Sequence, residues 1–157
     1  DASFSRRPGI VCAVLTADCL PVLLCDDAGS IVAAAHAGWR GLAAGVLEAT
    51  VAAMGVPAHR LIAWLGPAIG PESFEVGAEV RAAFVAHDPA AAGAFRARPS
   101  GKWLCDLYRL ATLRLSRLGV CRITSAEFDT CRDRERFFSF RRDGATGRMA
   151  SLIWMNL

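Results

Sequence analysis

A chain of 157 residues is one domain's worth, and with 54% hydrophobic against 21% charged residues it can bury a sizeable core, which excludes a disordered segment. The net charge of +3 is carried by arginines interleaved with acidic residues, with no base-stacking aromatic pattern, so no nucleic-acid partner is expected. No apolar run is long enough for a bilayer, and the start Asp1-Ala2-Ser3-Phe4-Ser5-Arg6-Arg7-Pro8 is no secretory signal, so no membrane partner is expected and the compartment reads as cytoplasmic.

In chain order, Ile10–Leu15 is apolar and β-leaning and reads as a buried strand. Pro21–Cys25 and Ile31–His36 read as two more, joined by the turn residues Asp26-Asp27-Ala28-Gly29-Ser30. Gly41–Met54 carries Leu42, Val46, Leu47 and Val51 at helical spacing and ends at Gly55 and Pro57. Leu61–Leu65 is a strand, Gly66–Pro71 a loop with two Gly-Pro steps, and Val76–Ala86 a helix. Ala90–Gly101 reads as a surface excursion, Trp103–Leu118 as a helix stopped by Gly119, and Ile123-Thr124 as a short strand. Phe137–Arg141 and Arg148–Met155 look like a closing hairpin. Mixed but not strictly alternating elements define an α/β (α+β) class: mixed β-sheets packed with flanking helices in a single layered domain.

The chemistry gathers at two places. Asp18-Cys19 precedes one strand, and His36 ends the next, followed by Gly38-Trp39-Arg40-Gly41. With the turn on Asp26 to Gly29, Cys25 faces Ser30 and Cys19 falls opposite His36. Opposed residues share a face, with Cβ atoms about 4.5–5.5 Å apart. A thiolate and an imidazole so placed can share one zinc ion, whose bonds are about 2.0–2.3 Å long. Pro21 cannot donate to the ladder and points to an edge or a bulge. Asp18 is placed to orient an imidazole or position a water, and Arg40 offers a fork for phosphate or carboxylate. A cysteine beside a strand and a histidine after an alanine run also fit plain core packing. Spacing supplies two ligands, where a catalytic zinc takes three; His59 and His87 fall in surface connections. The six cysteines, Cys12, Cys19, Cys25, Cys105, Cys121 and Cys131, form no CxxC pair and read as free thiols in a reducing compartment.

Longer motifs carry a resemblance. Thr16-Ala17-Asp18-Cys19-Leu20-Pro21-Val22 and His36-Ala37-Gly38-Trp39-Arg40-Gly41 come first. Leu65–Pro71, Phe74–Gly77, Asp106–Tyr108, Asp129–Cys131, Phe137–Gly144 and Thr146–Ala150 follow in order. Together they resemble the signature of the multicopper polyphenol oxidase (laccase-domain) family, also called the peptidoglycan editing factor or purine nucleoside phosphorylase family. The resemblance implies a compact α/β fold with a zinc pocket. Its ligands would be the Cys of the first motif, the His of the second and one more His from an upstream segment. The first two carry over to Cys19 and His36. The third falls before Asp1, so residues 1–157 are expected to form one laccase-type domain lacking its N-terminal segment, with an incomplete metal site.

The implied activity is phosphorolysis of adenosine, inosine and 5′-methylthioadenosine, with deamination of adenosine. The partners would be a small nucleoside and phosphate; a homodimer is an open option. Asp18, Cys19, His36 and Arg40 are the candidate catalytic residues, with Asp18 as the proton shuttle. Arg40, Arg142 and Arg148 are the candidate phosphate-binding residues, although Arg142 beside Asp143 also fits a plain hairpin end. Copper is the alternative cofactor, for the phenol oxidation that the older family name implies, but three histidines are few for multicopper chemistry. An amidase-type hydrolysis of cell-wall precursors, by zinc or by Cys19 activated by His36, uses the same geometry.

Overall fold

Alternation along one strand sets the layers. In β3 (Leu20–Asp26), Leu20, Val22 and Leu24 face one side of a sheet, while Leu23 and Cys25 face the other. The computed structural model describes residues 1–156. Its other strands are β1 (Ala2–Ser5), β2 (Cys12–Thr16), β4 (Val32–Ala37), β5 (Leu61–Leu65), β6 (Glu75–Val76), β7 (Phe95–Ala97), β8 (Trp103–Cys105), β9 (Arg122–Ser125) and β10 (Met149–Ile153). The helices are α1 (Trp39–Ala43), α2 (Val46–Met54), α3 (Ala78–His87), α4 (Leu107–Arg117) and α5 (Phe140–Asp143).

The central sheet has the order β1-β4-β3-β5-β9, antiparallel except for the β5–β9 pair. Its first face meets α2 and α4 through Leu47, Val51, Met54, Leu107, Leu110 and Leu115. Its second face is covered by the two-stranded β2–β10 ribbon, which packs Cys12, Val14, Ile153 and the neighbouring Met155 on Val32, Ala34, Leu23 and Cys25. Burial on both faces explains why β3 and β4 read as continuous apolar runs. A small sheet, β6-β8-β7, closes one end. No helix among the described residues is long and apolar enough to cross a membrane. The α+β class with mixed sheets is as expected.

Several elements differ from the sequence reading, each for a local reason. The expected Gly41–Met54 helix is two helices, because Gly45 takes a left-handed φ of +91° between α1 and α2. The expected Trp103–Leu118 helix begins only at Leu107. Asp106 caps it, its carboxylate accepting from Arg109 N at 2.9 Å, and Trp103–Cys105 pairs as β8 with both β6 and β7. The expected closing hairpin does not form. Ser139 caps the short α5, its Oγ accepting from Arg142 N, and β10 pairs with β2 instead. Within 90–101, a 3-10 segment (Pro89–Ala94) and β7 replace the loop. Strand β1 was not expected.

The β3–β4 register also differs. Cys25 pairs with Val32 and Pro21 with His36, because Asp26 stays in the ladder, its N donating to Ile31 O at 3.2 Å. Its carboxylate closes the turn by accepting from Ser30 N (2.7 Å), Ser30 Oγ (2.6 Å) and Ile31 N (3.2 Å). The register moves by two residues, so every side chain keeps its face.

Asp26 is therefore a pH-dependent lock. Burial pushes its carboxyl up, but the Ser30 hydroxyl and amide, the Ile31 amide and the Arg60 charge outweigh this and hold it below the ordinary value. A depressed carboxylate stabilises the fold above its unfolded pKa of about 3.9 and loses that contribution as pH falls through its lower folded value. Asp26→Ala is expected to lose about 2–4 kcal/mol at pH 7 in urea unfolding, and the gap from the parent protein narrows at about pH 3.

Candidate functional site

Cys19 stands just before β3, and His36 lies between Ala35 and Ala37, which belong to the helix-side core. Alternation therefore turns His36 to the ribbon side of the sheet. Gly38 shows that Cys19 points there too. A Cβ on Gly38 would sit 2.8 Å from Cys19 Sγ and 3.6 Å from His36 Nε2, so one small gap is bordered by both heteroatoms. Beside His36 opens a cleft of about 430 Å³ between β1 and β2, lined by Asp1, Ser3, Ala13 and Leu15.

The protonation states follow from the surroundings. Burial holds His36 below its ordinary value, so the ring is neutral at pH 7. Asp1 Oδ2 lies 2.8 Å from its Nδ1, on the side of the ring away from the Gly38 gap. Burial, then the Asp18 charge, pushes the Cys19 thiol up, while Arg148 and Arg40 pull it back. Without a cation beside it, Cys19 is a neutral thiol.

Asp18 is buried and takes a left-handed φ of +88°, which costs a non-glycine residue on the order of 1–3 kcal/mol. The surroundings hold it there. Oδ1 accepts from Thr130 Oγ1 (2.7 Å), Oδ2 from Ser139 Oγ (3.0 Å) and Arg141 N (2.6 Å), and its carbonyl accepts from Ile69 N (2.9 Å). Asp18 thus ties the 66–71 loop through its carbonyl, and the 129–131 segment and the start of α5 through its carboxylate, to the position beside Cys19. Both of its oxygens are engaged in this frame.

Tyr108 extends the frame. Its hydroxyl accepts from Ala68 N at 2.8 Å and donates to Phe128 O at 2.9 Å, and burial pushes its pKa up to about 12. Asp129 Oδ2 accepts from Ser73 Oγ at 2.6 Å and lies where a side chain on Gly70 would clash.

The three candidate arginines part company. Arg142, whose side chain is 14% exposed, donates to Asp143, to Thr130 O and Cys131 O, and to Phe137 O, and so braces α5 on the 130–131 segment. Arg40 is exposed, stacks over Trp39 with its guanidinium carbon 4.6 Å from the ring centroid, and makes no ion pair among the described residues. Arg148 donates Nη1 to Thr146 O and Gly147 O. Both Arg40 and Arg148 act on the Cys19 thiol through their charge.

No three His, Cys, Asp or Glu side chains among the described residues group around one point as metal ligands. His59 lies exposed in a 3-10 turn, and His87 lines a separate cavity with Glu48, Asp88 and Arg114. The donor set does fit zinc in kind: one thiol, one imidazole lone pair, and a gap between them that glycine leaves open. Gly38→Ala fills that gap, and because Gly38 sits at φ −62° and ψ 158°, the backbone tolerates the change. The added Cβ, 2.8 Å from Cys19 Sγ, forces that side chain to shift, and zinc affinity in a chelator competition is expected to fall roughly 10-fold or more.

Asp1, Thr130, Ser139 and Tyr108 were not singled out as site residues by sequence reasoning. Tyr108 and Thr130 lie inside recognisable motifs. Asp1 carries no local signal, since only the β1–β4 pairing brings it to His36.

Fold and site together define an α+β domain whose central sheet presents a thiol and an imidazole beside exposed arginines. The chain belongs to the multi-copper polyphenol oxidoreductase laccase family, whose model matches residues 1–156. It is 57% identical over 157 residues to a protein of Pseudomonas aeruginosa named purine nucleoside phosphorylase, covering 99% of this chain and 64% of that one. It is 57% identical over 155 residues to the purine nucleoside phosphorylase YfiH of Escherichia coli, covering 99% of this chain and 63% of YfiH. Among solved structures, protein NMB0706 of Neisseria meningitidis superposes with a TM-score of 0.98 at 57% identity, covering all of this chain and 65% of that one. YlmD of Geobacillus stearothermophilus superposes with a TM-score of 0.94 at 30% identity, over 100% of this chain and 61% of YlmD. The chain thus spans a little under two thirds of the length of these relatives.

Proposed function

We propose that this domain forms the reactive part of a zinc-dependent purine nucleoside phosphorylase. The observation that carries the reading is the juxtaposition of Cys19 Sγ and His36 Nε2 around the Gly38 gap, with Arg40 and Arg148 acting on the same point. Relatives named purine nucleoside phosphorylase at 57% identity supply the substrate class.

In phosphorolysis a phosphate oxygen bonds to C1′ of the ribose as the C1′–N9 bond breaks, and the purine leaves with a proton. Arg40 and Arg148 hold the phosphate, Arg40 presenting a planar fork suited to two of its oxygens. Cys19 and His36 would hold zinc, which would supply Lewis acidity at the site. Asp18 keeps the Cys19 backbone in place and acts through position; the cleft between β1 and β2 receives the nucleoside. Adenosine, inosine and 5′-methylthioadenosine are the substrates, and adenosine deamination is a second reaction of the same centre. The raised Cys19 thiol speaks against a thiolate-nucleophile amidase, and three histidines speak against a multicopper oxidase.

The test is base release by the full-length protein that contains this domain, loaded with zinc and given inosine with or without inorganic phosphate. The expected products are hypoxanthine and ribose 1-phosphate, in the phosphate-containing reaction alone. Free ribose in both reactions would show hydrolysis instead. No base release, together with copper-dependent oxidation of a phenolic dye, would replace this reading with the oxidase.

A further inference from the structure

We propose that Asp1 is the positioning residue of this centre: its carboxylate fixes the ring of His36 in the tautomer that turns an unprotonated Nε2 toward Cys19. The inference rests on the reading of Cys19 and His36 as zinc ligands. Two contacts bring Asp1 to His36. The β1–β4 ladder pairs Ala2 with Ala35, so Asp1 falls opposite His36, and His36 N donates to Asp1 O at 2.9 Å. The side chain then reaches the ring, with Oδ2 2.8 Å from Nδ1.

An ionised carboxylate only accepts hydrogen bonds, so the shared proton sits on Nδ1 and the other nitrogen must carry the lone pair. That nitrogen is the one 3.6 Å from the Gly38 gap, which Cys19 Sγ also borders. A free imidazole in water prefers its proton on Nε2. In that form an N–H would face the thiol, and the ring could not bind a metal there. A carboxylate behind a ligating histidine also raises its basicity and holds the ring plane. The Asp1 side chain is 69% exposed, and an exposed pair of this kind adds little to the stability of a fold. A role in orientation accounts for the contact where a role in stability does not.

The experiment uses the full-length protein carrying Asp1→Ala, Asp1→Asn or Asp1→Glu, with Cys19→Ser as the reference for loss of a ligand. Two readouts separate orientation from folding. The first is the His36 tautomer in the metal-free protein above pH 8, from two-bond ¹H–¹⁵N correlation of the ring. The parent protein is expected to show Nδ1–H, Asp1→Ala to shift toward Nε2–H, and Asp1→Glu to recover Nδ1–H in part. The second is zinc affinity by competition with a chromophoric chelator, expected to weaken roughly 10–100-fold in Asp1→Ala with thermal stability unchanged. An unchanged tautomer in Asp1→Ala overturns the proposal whatever the metal does. If Cys19→Ser leaves zinc affinity unaltered, the metal reading falls instead, and the tautomer alone decides the role of Asp1.

Discussion

Cys19→Ser in the full-length protein is expected to abolish tight zinc binding and to lower kcat/KM for inosine phosphorolysis on the order of 10³-fold or more, with little change in the stability of the metal-free fold. The hydroxyl is nearly the same size as the thiol and fits beside Gly38, so packing does not explain the loss. It is not a thiolate ligand, however, and of the two donors this domain supplies only His36 then remains. His36→Ala is expected to match it. Zinc affinity of the parent protein is expected to rise with pH, because burial and the Asp18 charge keep the thiol protonated in the absence of a cation. Retained affinity in Cys19→Ser, measured by isothermal titration, would count against the centre proposed here.

Asp18→Ala is expected to cost about 3–5 kcal/mol of stability. Three donors, Thr130 Oγ1, Ser139 Oγ and Arg141 N, lose their acceptor at a buried site, and the left-handed backbone at Asp18 loses the contacts that hold it. Asp18→Asn separates the two causes. Asparagine accepts a positive φ, and its oxygen can take the place of Oδ2 before Ser139 Oγ and Arg141 N, but its NH₂ then opposes the Thr130 hydroxyl, so it keeps the backbone and loses part of the bonding. Urea unfolding at pH 7 is expected to rank the parent above Asp18→Asn and Asp18→Asn above Asp18→Ala. Zinc affinity is expected to follow the same order, because the frame positions Cys19. If Asp18→Asn keeps full stability and affinity but loses activity, Asp18 is a proton shuttle and the framing role is wrong.

Much of the site could be read along the chain because its parts are local to one hairpin. Cys19 and His36 flank two apolar strands, and alternation kept them on one face even though the register differs by two residues from the expected one. What moved the register was the Asp26 carboxylate, which lets that residue end the ladder and also close the turn. Sequence patterns see a turn residue there, not a residue doing both. Glycine and capping signals decided the helix errors: Gly45 inside an apolar period of 3.6, Asp106 after a stretch whose helix formers extended the expected helix, and Ser139 before Phe140.

The frame was illegible for a different reason. Asp18 meets Thr130 and Ser139 across 112 and 121 residues. Asp1 meets His36 through a strand whose alternation is too short to announce it. Contacts of that span leave no spacing to read. The motifs around Asp106, Asp129 and Phe137 were recognisable as words, but their physical work, pinning the 66–71 loop through Tyr108 and bracing α5 through Arg142, is visible only once the chain is folded.

The most direct measurement is anomalous diffraction at the zinc edge from crystals of the full-length protein grown with zinc. The geometry predicts one strong peak bordered by Cys19 Sγ and His36 Nε2, over the face of Gly38, with Asp1 still bonded to Nδ1. A peak elsewhere, or none between those two atoms at full zinc loading, would contradict the metal centre and with it the mechanism built on it.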